Sequence, residues 1–132
     1  MSRKKRVLIV DDDPRVRFTM KRVLEHLAQY TVLTEQDPCK ALSSALAFHP
    51  DLIILDLCMP GKDGGDVASE LRHSSALRNV PVVFLTGIAN PEEASKCSGE
   101  DYTMLSKVSA ADTLVDRIAG LLARESAAAA TC

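Results

Sequence analysis

Asp51-Leu52-Ile53-Ile54-Leu55-Asp56-Leu57-Cys58-Met59-Pro60-Gly61 carries four apolar residues in a row between two aspartates. A strand with one face in water alternates apolar and polar side chains. This run does not, so both of its faces must be covered. Val7-Leu8-Ile9-Val10, which leads into Asp11-Asp12-Asp13, is of the same kind, and so is Val82-Val83-Phe84-Leu85, opened by Pro81. Residues 30–34 and 102–106 give a weaker strand signal, which brings the expected number to five.

Helical stretches lie between these runs. Asp13-Pro14 reads as an N-cap and first helical residue, followed by Val16, Met20, Val23, Leu24 and Leu27 at helical spacing. Asp37-Pro38 opens a second helix carrying Ala41, Leu42, Ala45 and Leu46, and a third runs from about Asp63 to Arg72. Asn90-Pro91-Glu92-Glu93 places an acid three residues after a cap, which suggests a capping-box-like start. The last helix begins at Ser109-Ala110-Ala111-Asp112, with Leu114, Val115, Ile118, Leu121 and Leu122 on one face. Strict strand–helix alternation implies α/β architecture: a parallel sheet, right-handed crossovers and helices on both sides.

The bulk composition suits one globular domain. The chain has 132 residues, 46% hydrophobic and 26% charged, with a formal net charge of -2 that calls for neither nucleic acid nor an anionic membrane surface. Apolar runs stop at about five residues, far short of a membrane span. The basic start Arg3-Lys4-Lys5-Arg6 reads as a solvated lead-in to a buried strand, because the apolar stretch behind it is too short for a signal peptide. Cys39, Cys58, Cys97 and Cys132 lack paired or metal-type spacing, which fits reduced thiols in a cytoplasmic protein. After Arg124 the composition collapses to Ala127-Ala128-Ala129-Ala130. The expected organisation is therefore one domain over residues 1–124 and an Ala-rich tail or linker over 125–132.

In open parallel sheets, function collects outside the carboxyl ends of the strands. Here those ends carry Asp11-Asp12-Asp13, Asp56, Thr86 and Lys107. Two carboxylates about 4 Å apart repel by roughly 4 kcal/mol at an effective dielectric near 20, so a converging set takes up protons or attracts a cation. Oxygen-only donors suit a hard divalent ion, and Mg²⁺ favours a few carboxylates plus waters and a phosphate oxygen. A carboxylate beside such an ion can attack phosphorus, while the ion and a lysine neutralise charge on the transferring group. A threonine hydroxyl can donate to one of that group's oxygens.

Taken in order, the segments 7–13, 51–61 and 82–87 (Val82-Val83-Phe84-Leu85-Thr86-Gly87) resemble the bacterial response-regulator receiver family, over about residues 6 to 123. The resemblance implies a flavodoxin-like doubly wound sheet of order 2-1-3-4-5 with five helices. It implies that Asp56 is the phospho-acceptor, that Asp12 binds Mg²⁺ directly, that Asp11 assists through water, and that the Cys58 backbone carbonyl is a further metal ligand. Thr86 is then the switch hydroxyl, Gly87 leaves room for the phosphoryl group, and Lys107 pairs with its oxygens. The implied partners are a sensor histidine kinase or phosphotransfer protein upstream and an effector protein or separate output domain downstream. Nucleic acid and membrane are not expected partners of this domain.

Departures from the family pattern concern the output end. Val108 stands where proline usually follows the lysine, and Met104 occupies the usual aromatic switch position, with Tyr102 two residues upstream. Either the fifth strand is shifted in register or the switch residue is a methionine. Cys58 and Ile88 flank the path of an attacking water without a charged or amide group to orient it, which predicts slow self-dephosphorylation.

Three other classes compete for the same residues. A degenerate receiver acting as a phosphorylation-independent docking module is the alternative that Val108 and Met104 motivate. A phosphatase of the haloacid-dehalogenase type would use Asp11 and Asp13, but Arg15 stands where that motif needs threonine or valine. A flavin site on the same topology needs a Ser, Thr and Gly phosphate loop, and three aspartates there would repel the phosphate. The reading adopted is a Mg²⁺-dependent switch in a two-component phosphorelay, catalysing only its own phosphorylation and dephosphorylation.

Overall fold

The computed structural model describes residues 4–57, 59, 61–86, 103–106 and 114–123. Strand β1 (Arg6–Val10) leads to helix α1 (Pro14–Leu27), then β2 (Thr31–Glu35), a 3₁₀ turn (Pro38–Lys40), α2 (Ala41–Phe48), β3 (Leu52–Asp56), α3 (Gly64–Arg72), β4 (Val82–Thr86) and β5 (Thr103–Ser106). A last helix occupies residues 114–123. The strands form one sheet in the order β2-β1-β3-β4-β5, and every pairing is parallel. The helix expected from Asn90 and the tail expected from residue 125 lie outside the described residues.

The unbroken apolar runs do cover both faces. Along β3, Ile53 and Leu55 face Ala41 and Ala45 of α2 and Val67, Ala68 and Leu71 of α3. Leu52 and Ile54 join Met20 and Leu24 of α1, with Leu114, Ile118 and Leu122 of the last helix. Strand side chains alternate between faces, so one run of four residues serves two helical layers. Each fully buried aliphatic side chain contributes about 1.5–3 kcal/mol of transfer free energy, which sets the sheet as the rigid part from which the strand ends project.

Several boundaries differ from the expectation. β2 starts at Thr31 instead of residue 30 and runs on to Glu35, whose carbonyl accepts the Asp11 N–H at 3.1 Å. Asp37 does cap, its Oδ1 accepting the Cys39 N–H at 2.9 Å, but it caps a 3₁₀ turn closed by Lys40 N–H to Asp37 O at 3.0 Å. The α-helix begins only at Ala41. Leu27 and Leu46, both placed on apolar faces by periodicity, are substantially exposed. Period gives a direction around the helix, and burial also requires a neighbour lying along that direction.

Met104 registers against Phe84, and Ser106 against Thr86. Tyr102, Lys107 and Val108 lie outside the described residues.

Candidate functional site

The carboxyl ends of β1 and β3 are adjacent. Val10 registers with Leu55, so the chain leaves β1 into Asp11 beside the end of β3, where Asp56 is the last strand residue. Ligand-capable oxygens of Asp11, Asp12 and Asp56 all lie within 4.8 Å of one another. Asp11 and Asp56 are the buried polar residues among the described ones, at 0% and 4% exposure, while Asp12 faces solvent. Buried carboxylates this close need compensating positive charge.

The turn that carries the acidic pair is tied down by local hydrogen bonds. Asp11 Oδ1 accepts the Asp13 N–H at 2.9 Å. Asp13 in turn caps α1, its Oδ1 accepting the Arg15 N–H at 2.9 Å, and Pro14 occupies the first helical turn. Asp13 therefore starts the helix as its Asp-Pro signal predicts, and the three-carboxylate cluster consists of Asp11, Asp12 and Asp56. Glu35, at the end of the neighbouring strand, accepts the Ser44 hydroxyl at 2.7 Å and the Asp37 N–H at 3.0 Å. Burial alone would raise its pKa, but those bonds, the Gln36 amide and the Lys40 charge hold it below the usual value.

The loop after Asp56 is fixed at both ends. Leu57 N–H donates to Leu85 O at 3.0 Å and Gly64 N–H donates to Leu57 O at 3.1 Å, while buried Met59 packs into the core. Gly61 has φ of 80°, a left-handed turn that glycine adopts without strain. Gly64 is needed for a different reason: a Cβ there would stand 2.4 Å from the Asp56 carbonyl oxygen. Lys62 pairs with Glu70 of α3. Thr86 ends β4 as expected, whereas Cys58 and Lys107 lie outside the described residues.

Cation fit follows from the donor set. The cluster offers carboxylate oxygens and no His or Cys, which suits a hard divalent ion over a soft one. One residue of this site was absent from the expected set. Arg17 Nη1 donates to the Asp11 carbonyl oxygen at 2.8 Å, and its Nη2 approaches Gln36 Oε1 at 3.5 Å.

Residues 7–119 match the response regulator receiver domain. The chain belongs to that family. The receiver is 33% identical over 122 residues to the DNA-binding dual master transcriptional regulator RpaA of Synechocystis sp., covering 90% of this chain and 49% of RpaA. It is 33% identical over 126 residues to the transcriptional regulatory protein ResD of Bacillus subtilis, covering 92% of this chain and 49% of ResD. The solved structure of the Vibrio cholerae chemotaxis protein CheY4 superposes with a TM-score of 0.78 at 30% identity, covering 88% of this chain and 97% of that one. The receiver thus spans about half the length of the two transcriptional regulators, at 49% of each. No helix among the described residues is long and apolar enough to cross a membrane.

Proposed function

We propose that the receiver is a phosphorylation-dependent switch that takes a phosphoryl group on Asp56 from a phosphohistidine of a sensor kinase or phosphotransfer protein. The observation that carries this reading is the convergence of the Asp11, Asp12 and Asp56 carboxylates at the ends of β1 and β3, two of them buried. An Asp56 carboxylate oxygen attacks phosphorus, the P–N bond to the donor imidazole breaks, and the nitrogen leaves with the bonding pair. With the other ring nitrogen of the phosphohistidine protonated, the imidazole leaves as neutral histidine and an acyl phosphate on Asp56 remains.

Asp11 and Asp12 would hold Mg²⁺, Asp12 directly and Asp11 through water, with Asp56 and the Cys58 carbonyl completing the protein's share of ligands. When bound, the ion neutralises charge on the transferring oxygens and on the carboxylates around it. Lys107 would pair with a phosphoryl oxygen and Thr86 would donate its hydroxyl to another, which couples the modification to the ends of β4 and β5. The reaction changes the receiver itself and no separate substrate, so the activity is signalling and not enzymatic turnover. The reading assigns the domain to the cytoplasm, with output through contact with an effector protein or a linked output domain.

The test is the intact mass of the protein after incubation with acetyl phosphate, with and without Mg²⁺, for wild type beside Asp56→Asn. A Mg²⁺-dependent gain of one phosphoryl group, missing in the variant, is the expected result. No gain from either acetyl phosphate or a cognate kinase, with the ion still bound, refutes the switch and leaves a docking module.

A further inference from the structure

We propose that Arg17 is a positioning residue for the acidic pair: it pins the peptide that joins Asp11 to Asp12 and thereby sets the geometry of the cation site. The inference rests on the Mg²⁺ reading above and adds to it a residue that touches neither ion nor phosphoryl group.

The turn at 11–13 is fixed at successive points. The Asp11 N–H is held by Glu35 O at 3.1 Å, and the Asp11 Oδ1 is held by the Asp13 N–H at 2.9 Å. Between them lies the Asp11 carbonyl, whose oxygen accepts from Arg17 Nη1 at 2.8 Å. That carbonyl belongs to the peptide plane whose other end is the Asp12 nitrogen, so its rotation swings Asp12 relative to Asp11. Asp12 is exposed and belongs to neither hydrophobic cluster of the described residues. Arg17 also reaches back to Gln36, just beyond the strand that holds the Asp11 N–H, so the same guanidinium spans both sides of the turn. A planar fork on a half-buried stem is better suited to this than a single ammonium.

Charge and position make opposite predictions. A fixed cation near a divalent-ion site opposes a second cation, so if Arg17 acted through its charge, its removal would tighten Mg²⁺ binding. If it acts as a brace, removal loosens the site, as loss of groups that orient ligands commonly does by 10–100-fold.

The experiment is calorimetric titration of Mg²⁺ into the full chain, for wild type, Arg17→Ala and Arg17→Lys. A thermal melt without Mg²⁺ establishes that each variant is folded at the titration temperature. A purely structural role would lower the melt and leave the Kd of the folded protein unmoved. The expected result is a Kd for Arg17→Ala raised about tenfold, with Arg17→Lys between the two. The Mg²⁺ concentration giving half-maximal labelling by acetyl phosphate should rise in parallel with the Kd. An unchanged or lower Kd in Arg17→Ala overturns the inference while leaving the metal reading intact. If Arg17→Ala fails to fold, Arg17→Lys decides by the same criterion. A wild type that binds no Mg²⁺ overturns the metal reading and this inference with it.

Discussion

Replacing Gly64 by alanine should destabilise the receiver although alanine is the better helix former. Gly64 is the first residue of α3 and donates its N–H to Leu57 O. An added Cβ would lie 2.4 Å from the Asp56 carbonyl oxygen and 3.1 Å from both Leu57 Cα and Phe84 Cε1. The first contact is roughly 1 Å short of van der Waals distance, and two of the three obstacles are backbone. Phe84 is fully buried and has nowhere to turn. Relief requires α3 to back away from the end of β3, an overpacking cost of about 1–3 kcal/mol. Alanine propensity recovers at most about 1 kcal/mol of that. Gly120 provides the control, since a Cβ there meets nothing within 4 Å, and Gly120→Ala should stabilise by about 0.5–1 kcal/mol. Urea unfolding, read as a shift in midpoint at constant slope, separates the two. For a chain of this size each kcal/mol moves Tm by about 4 °C, so the variants should melt on opposite sides of wild type. A Gly64→Ala protein as stable as wild type would refute the steric argument and with it the claim that α3 is pressed against the back of Asp56.

Asp12→Ala should weaken Mg²⁺ binding more than tenfold while preserving the fold; equal affinity by calorimetry would remove Asp12 from the ligand set. Asp13→Ala should cost about 1 kcal/mol through loss of the α1 cap, measurable by urea unfolding, with much less effect on the ion. Glu35 has a folded pKa below the ordinary value, so its contribution to stability is present above the unfolded pKa and is lost as pH falls through the folded one. Ser44→Ala removes one of the bonds that lower it, so a ¹³C carboxyl titration should show the Glu35 midpoint move upward, and the variant should lose stability at a higher pH than wild type.

How much of this was legible in the sequence depends on how local each feature is. Four consecutive apolar residues at 52–55 required covered faces, and the parallel sheet follows from three such runs with helices between them. The cluster was legible for the same reason: strand ends in such a sheet point to one edge, so Asp11, Asp12 and Asp56 had to meet there. Asp13 announced its helix because a cap bonds within its own turn. The 3₁₀ turn at 38–40 was not legible, since Asp37 and Pro38 start either winding and the choice is made by how the chain enters α2. Leu27 does recur at the helical spacing of the buried stripe and is exposed all the same, because spacing does not specify how far the facing element extends. Arg17 was overlooked because its partners are a carbonyl oxygen, which any residue supplies, and Gln36, nineteen positions away. Its one sequence signal was a cation three residues before Met20, on the flank of the buried stripe and one turn from the acidic strand end.

The two hydrophobic clusters on either side of the sheet share no side chain among the described residues. Substitutions on opposite faces should therefore combine additively, whereas neighbours within a face should not. A lineage built on this architecture is free to repack the α2–α3 side while the α1 side stays as it was, each change tested by selection separately. What the two sides do hold in common is the strand backbone, and Asp56 is mounted at its end. Repacking thus stays a private matter of one layer, while any sliding of β3 along its own axis is broadcast to both.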